Sequence, residues 1–202
     1  MPTDEELLEA WRNGDAAAGE SLFDRHFASV SRFFRNKVGA GLDDLVQATF
    51  MRLVESRERF RGEGSFRSYL FGVAYNVLRR HYRDRQRDDR IDFGVTSVHA
   101  TGVGPSAILD ADREHRRLLE ALRRIPIEHQ TLLELYYWES LSAAAIATVL
   151  EVPEGTIRTR LRRAKALLEE QLREIVQDRE QLASTLARLE DWAAAVRAKL
   201  DT

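Results

Sequence analysis

The chain has 202 residues, of which 44% are hydrophobic and 32% are charged, a composition typical of a folded globular protein and not of a disordered one. No apolar run approaches the roughly 18 residues of a membrane span, and the acidic N-terminal segment Met1–Glu6 lacks the apolar core of a secretory signal. Cysteine is absent, which excludes disulfides, thiolate metal sites and a cysteine nucleophile. These features predict a cytoplasmic protein.

The net charge of −2 conceals two basic segments. Residues 52–87 carry 10 basic and 4 acidic side chains, a net charge of +6, and residues 156–165 carry 5 basic and no acidic ones, a net charge of +5. Two local cationic patches on a nearly neutral chain favour binding to a polyanion such as nucleic acid. A single patch of this kind is more often a solvated helix face, so the pair carries more weight than either member.

Apolar residues recur at intervals of three and four, which predicts helices throughout. Four helices are expected in the first part of the chain: from Thr3 or Asp4 to about 13, about 19–38, from Asp43 through Val54, and from Ser65 or Ser68 to about 85. The second helix carries Phe27 among its apolar residues, and Val54 lies on the side of the third helix that we expect to face inward.

Residues 88–110 are rich in Gly, Ser and Thr and show no helical period, which predicts a linker. A second helical set follows, with a break at Ile125–Pro126. The predicted fold class is all-α: two small helical domains joined by a flexible linker, the second a helix-turn-helix, plus a C-terminal helical extension. The expected limits are residues 1–87, 88–112, 113–172 and 173–202.

The segment 142–161 is the most specific short feature and predicts a helix-turn-helix. Ser142 can cap the first helix, and Pro153 suits the start of the second because its missing N–H has no partner at that position. Ile146, Leu150, Val152, Ile157 and Leu161 would form the shared core. The other face of the second helix carries Thr and Arg, as a helix that reads the DNA major groove requires. An ordinary helical hairpin with a charged face is the alternative.

The first basic segment interleaves aromatic residues with arginine. Residues 59–71 place Phe and Tyr beside Arg around a glycine-containing loop, and Tyr75, Asn76 and Tyr82 follow on the next helix. Aromatic faces next to cations suit unstacked bases and single-stranded backbone. The alternative is that these aromatic residues fill a core, as a single aromatic more often does, and this is expected for Phe66, Leu70 and Phe71.

These segments together resemble the bacterial sigma-70 family of RNA polymerase sigma factors. Residues 41–53, 59–61 and 66–78 are similar to the promoter-melting domain, and residues 154–165 are similar to the C-terminal domain. Two domains with a short linker resemble the small extracytoplasmic-function group. The resemblance covers about residues 5–87 and 113–172.

The resemblance implies a role for each segment and no catalytic, cofactor or metal site. Residues on the third helix correspond to those that dock on the clamp coiled coil of core RNA polymerase: Asp43, Asp44, Gln47, Phe50 and Val54. Residues 60–65 correspond to the loop that captures a flipped base of the −10 element, Asn76 corresponds to a position lining that pocket, and nearby arginines would meet phosphates. The implied −10 contacts are Phe60, Arg61, Ser65, Arg67, Asn76, Arg79, Arg80 and Arg83.

The second helix of the helix-turn-helix would read the −35 element. The implied −35 contacts are Thr156, Arg158, Thr159, Arg160, Arg162, Arg163 and Lys165. The implied partners are core RNA polymerase and promoter DNA, and the resemblance leaves room for an anti-sigma factor or another regulator. The predicted function is a sigma factor that directs promoter-specific initiation of transcription.

Several positions depart from the family pattern. Ala144 and Ala145 stand where acids are usual, Ala48 replaces a usual Glu and Gly41 a usual Asp. Glu151 stands where the turn usually has Gly, so it must tolerate a strained turn or a modified one. Residues 173–202 extend beyond the minimal pattern, as a regulatory or partner-binding helix, as a segment that packs on the chain's own domains, or as a helix that only extends the fold.

Two other classes of function compete with this prediction. A stand-alone helix-turn-helix regulator would explain the second basic segment but not the aromatic loop or the Asp43–Phe50 helix. An enzyme is disfavoured because the five histidines are scattered without metal-ligand spacing, and no phosphate-binding Gly-rich loop or nucleophile motif occurs.

Overall fold

The computed structural model describes residues 1–60, 64–85, 92–101 and 113–175. Regular structure in these ranges is helical, apart from an isolated bridge between Ser97 and Pro126, and two short 3₁₀ helices occupy Arg57–Arg59 and His99–Thr101. The α-helices are α1 (Asp4–Arg12), α2 (Ala16–Arg35), α3 (Leu42–Ser56), α4 (Phe66–Arg85), α5 (Arg113–Arg124), α6 (Ile127–Tyr137), α7 (Ala143–Leu150) and α8 (Glu154–Ile175). This confirms the predicted all-α class. No helix within the described ranges is long and apolar enough to cross a membrane.

Side-chain caps set the helix starts. Thr3 and Glu6 form a capping box at the start of α1, and Asp15 accepts hydrogen bonds from the N–H groups of Ala17 and Ala18. The Asp15 cap explains why α2 begins at Ala16, earlier than the predicted residue 19. Gly19 therefore lies inside α2, where a Cβ atom would sit 2.6 Å from the Trp11 indole, so glycine lets α1 and α2 approach closely.

Helices α1–α4 form the first helical set around a shared apolar core. Its fully buried members include Leu22, Phe34, Leu53, Leu70 and Phe71, which confirms the core role predicted for Leu70 and Phe71. The inward orientation expected for Val54 is wrong. Val54 is 39% exposed, and Phe27 of α2 is 54% exposed, because the apolar stripes of α2 and α3 are wider than the faces that pack.

Helices α5–α8 form the second helical set. The predicted helix-turn-helix core is confirmed for Ile146, Leu150, Ile157 and Leu161, all of which are buried, whereas Val152 is half-buried at the turn. The predicted extension 173–202 is described only to Ile175, where α8 ends, and its remainder lies outside the described residues.

The two helical sets pack against each other, with α7 lying on α4. We call this contact between the two sets the seam. Charged side chains fill part of it: Arg32 near the end of α2 binds Glu139, and Lys37 just after α2 binds Glu134 of α6. Part of the predicted linker also joins the sets, because the backbone N–H of Ile127 donates to the Thr96 carbonyl at 2.9 Å.

Candidate nucleic-acid interface

One exposed face of the first set combines apolar and acidic groups. Gly41, in the left-handed region at φ +80°, precedes α3, and Asp43 and Asp44 lie in its exposed first turn. Gln47, Phe50, Met51 and Val54 follow at helical spacing and complete what we call the α3 face. The ring of Phe50 lies 6.4 Å from that of Phe27 in a stacked arrangement. Exposed apolar groups flanked by charge are typical of a protein-binding surface.

A cavity of about 390 Å³ opens between α3 and α4. Its walls carry an amide, a guanidinium, a carboxylate and hydroxyl groups, which are the donors and acceptors that read base edges. The Tyr69 hydroxyl lies 2.9 Å from the Ser56 carbonyl oxygen and 2.6 Å from the Ser56 Oγ, which fixes the tyrosine ring in the wall. The lining residues are Arg52, Glu55, Ser56, Tyr69, Val73 and Asn76.

The sequence analysis placed Asn76 in this region and Tyr69 in the aromatic segment, but it assigned no role to Arg52 or Glu55. Asn76 is exposed on α4 and faces the cavity. A prediction that the last turn of α3 packs against the first turns of α4 would have identified Arg52 and Glu55 as candidate lining residues. The cavity thus joins Asn76 and Tyr69 to residues of α3 that only the packing of α3 on α4 reveals.

The predicted residues around the glycine loop serve several purposes. Phe60 is buried with its ring 5.3 Å from that of Tyr69, so its side chain supports the cavity wall from behind. Ser65 accepts the N–H of Ser68 and so begins α4. Arg67 donates to Glu139 at 2.6 Å and is held in the seam. Arg61 lies outside the described residues.

The arginines near the end of α4 are exposed, whereas the interleaved tyrosines are not. Arg79, Arg80 and Arg83 face solvent, as phosphate contact requires. For Tyr75 and Tyr82 the alternative of a core role is confirmed and that of a free aromatic face is not: both are buried and make edge contacts with Phe93 at 6.0 and 5.6 Å. Burial accordingly raises the pKa of Tyr75.

The helix-turn-helix forms by the local signals that the sequence carries. Ser142 Oγ accepts the N–H of Ala145 at 3.1 Å and caps α7. Of the strained and modified turns that the sequence leaves open, the strained one is observed: Glu151 adopts the left-handed conformation at φ +55°, which costs a non-glycine residue roughly 1–2 kcal/mol. The Val152 N–H donates to the Ala147 carbonyl at 3.1 Å and closes the turn.

Most of the predicted reading residues on α8 are free to meet a ligand. Arg158, Thr159, Arg162, Arg163 and Lys165 are exposed, and Thr156 is half-buried. Arg158 pairs with Glu154 one turn earlier at 2.8 Å, an exchangeable surface contact.

Arg160 differs from its neighbours because it forms an ion pair with Glu128 of α6. This partner lies 32 positions earlier in the chain, too far for any local pattern to predict the pair. Among the residues that the structure describes, no group of three or more His, Asp or Glu side chains is placed to hold a metal ion.

Two protein-family models match the chain. The model described as sigma-70 region 2 matches residues 22–88, which contain the α3 face and the cavity. The model described as sigma-70, region 4 matches residues 115–168, which contain the helix-turn-helix. The matches follow each other in the order that the sequence predicts.

Curated relatives match over most of their length. RNA polymerase sigma factor CarQ of Myxococcus xanthus is 30% identical over 171 residues, covering 83% of this chain and 97% of that protein. The ECF RNA polymerase sigma-E factor of Haemophilus influenzae is 26% identical over 185 residues, covering 86% and 97%.

Solved structures share the fold. The sigma factor RpoE of Bartonella quintana, solved in complex with the anti-sigma factor NepR, aligns with a TM-score of 0.59 at 20% identity, covering 76% of this chain and 96% of that one. CnrH in complex with the cytosolic domain of CnrY aligns with a TM-score of 0.58 at 22% identity, covering 85% and 97%.

Proposed function

Since the chain belongs to the extracytoplasmic-function group of the sigma-70 family, we propose that it binds core RNA polymerase and directs promoter-specific initiation of transcription. The observation that carries this function is the pair of family matches, to region 2 and region 4, on the two helical sets of one chain. A stand-alone regulator would need only the second set and leaves the first unexplained.

The surfaces suggest how the work is divided. The α3 face offers Phe50 and Val54 to polymerase, with Asp43 and Asp44 beside them. The cavity beside Asn76 receives an unstacked −10 base, and Arg79, Arg80 and Arg83 meet nearby phosphates. Holding an extruded base offsets an unstacking cost of a few kcal/mol per step.

The exposed face of α8 is assigned to the −35 duplex. Arg158 and Thr159 lie near its N-terminal end, where a recognition helix contacts base edges, and Arg162, Arg163 and Lys165 are suited to phosphates. Residues 1–87 and 113–172 are the two DNA-binding domains in this proposal, and residues 88–112 connect them.

The chain supplies binding and not bond chemistry in this proposal. Separating DNA strands needs pockets and charges but no nucleophile, and polymerase carries out phosphodiester formation. The place of action is therefore the cytoplasm. Structural relatives have been solved with an anti-sigma factor, and we extend such a partner to this chain.

In vitro transcription from a random promoter library, with core polymerase and with or without this chain, tests the proposal. We expect a defined set of promoters to fire only when the chain is present. Specific duplex binding by the chain alone, with no effect on polymerase, would support the stand-alone regulator instead.

Two substitutions separate the assigned surfaces. Gln47→Ala on the α3 face should weaken association with core polymerase, whereas Asn76→Ala at the cavity should spare association and reduce permanganate reactivity of −10 thymines. Both residues are exposed, so neither change should lower the thermal midpoint. Normal strand opening by Asn76→Ala would remove the cavity from the proposal.

A further inference from the structure

Helix α1 lies before residue 22, where the region 2 match begins, and no DNA role has so far been given to it. Leu7, Leu8 and Trp11 bury its inner face, and Asp4 pairs with Arg25 at 2.7 Å. The helix is therefore a fixed part of the first set. Two of its other side chains contact the backbone at Phe60 and Phe66, the described residues that flank the glycine loop.

Arg12 holds the chain that enters this loop. Its Nε donates to the Arg57 carbonyl oxygen at 2.9 Å, and its Nη2 donates to the carbonyls of Arg57 and Phe60. The guanidinium carbon also lies 5.9 Å from the centroid of the Phe60 ring. These carbonyls follow the end of α3, where backbone acceptors lack partners within the helix, and a cation is favoured there.

Glu5 holds the chain that leaves the loop. Its Oε1 accepts the backbone N–H of Phe66, the first residue of α4, at 3.3 Å. The N–H groups of a first helical turn lack partners within the helix and favour a carboxylate. Glu5 and Arg12 lie seven positions apart on α1 and so project from the same side of the helix.

We propose that Arg12 and Glu5 are positioning residues for capture of the −10 strand. By holding the Phe60 carbonyl and the start of α4 on one rigid helix, they set the distance across the loop and the placement of Tyr69 and Asn76 at the cavity. This inference rests on the proposed function, because it assigns the cavity to an unstacked base.

The test compares Arg12→Gln, Arg12→Lys and Glu5→Gln in holoenzyme assembled with core polymerase. A single-stranded −10 oligonucleotide should bind each variant about tenfold more weakly. This is the effect expected when the loop conformation that binds DNA loses a charge-assisted hydrogen bond. Binding to core polymerase and to a −35 duplex should stay unchanged. Glu9→Gln, an exposed α1 change, and Arg173→Gln on α8 are the matched controls.

Arg12→Lys distinguishes positioning from direct contact with DNA. Lysine keeps the charge but lacks the planar fork that spans two carbonyls, so it should behave like Arg12→Gln. Rescue by lysine would mean that Arg12 meets a phosphate, and the positioning role would be lost.

The other outcomes are equally decisive. Wild-type binding of the −10 strand by Arg12→Gln and Glu5→Gln overturns the inference, as does a parallel loss of polymerase binding, which would indicate general damage to the fold. If Arg12 variants do not fold, the exposed Glu5→Gln variant decides alone. Failure of the proposed function is recognised separately, because the wild-type holoenzyme would then not bind the −10 strand at all.

Discussion

The interior of each helical set and the seam between the sets are built from different chemistry. The interiors are apolar, with fully buried residues such as Leu70 in the first set and Leu132 in the second. The seam buries complete ion pairs: Arg32 and Glu139 keep 1% and 2% of their side-chain surface, and Lys37 and Glu134 keep 0% and 2%.

The seam is also well supplied with hydrogen bonds. Arg32 contacts both carboxylate oxygens of Glu139, at 2.9 and 3.2 Å. Lys37 donates to the Phe33 carbonyl at 2.6 Å, and Gln130 donates to Glu134 at 2.8 Å. Burial disfavours both charges of the second pair, lowering the pKa of Lys37 and raising the pKa of Glu134, while their mutual attraction opposes both changes.

This difference affects how easily the two helical sets can separate from each other. An apolar interface loses its stabilisation when it opens to water, whereas the charges of an opened ionic interface regain hydration. A buried pair therefore contributes modestly when intact but is costly when only one member is removed. The comparison predicts that single and paired substitutions at the seam behave very differently.

Lys37→Met should have the largest effect, because it leaves the Glu134 carboxylate buried without its cation. Removing one member of a buried pair costs about 3–5 kcal/mol, and we expect a loss of that order in the free energy of unfolding by urea. The double variant Lys37→Met with Glu134→Leu should recover most of this loss. A single variant as stable as wild type would show that the seam is open in solution.

Arg32→Met and Arg67→Met sharpen the comparison, because both arginines bind Glu139. The Arg32 side chain is 1% exposed and the Arg67 side chain is 34% exposed. Loss of Arg67 leaves Glu139 paired, so the change in unfolding free energy should stay within about 1 kcal/mol, as for partly solvated pairs. Loss of Arg32 should cost more in the same urea titration. Equal losses would contradict the bidentate assignment.

The sequence sufficed for features that depend on local signals. The caps at Thr3 and Ser142 and the strained turn at Glu151 follow from residues within a few positions of each other. The helix-turn-helix core follows from periodicity for the same reason. Such features need no knowledge of how distant segments pack.

Features made by distant segments could not be predicted. The Lys37–Glu134 pair joins residues 97 positions apart, and each residue reads as an ordinary surface charge on its own helix. Tyr75 has the same pattern as a ligand-stacking aromatic, but Phe93 of the predicted linker covers it. The cavity likewise needs α3 and α4 side by side before Glu55 and Tyr69 can be seen to share it.

Mild acid should lower the free energy of unfolding less than these substitutions do. It should act on residues inside the two helical sets and not on the seam. Burial lowers the pKa of His26 in the first set, although Asp4 partly opposes the shift, and burial together with Arg163 lowers the pKa of His129 in the second. Folding thus favours the neutral ring, so this stabilisation is complete above the usual histidine pKa of 6.5 and is lost as the pH falls through the folded value.

The contribution of these two histidines to the free energy of unfolding should therefore be level above pH 6.5, the usual histidine value, and decline below it. A urea titration series at decreasing pH measures this decline, and the double variant His26→Gln with His129→Gln should flatten it. His99→Gln is the control, because its side chain is 61% exposed. A decline that persists in the histidine double variant would mean that other groups cause the acid sensitivity. The Lys37–Glu134 pair would be tested next, with the variant that carries Lys37→Met and Glu134→Leu.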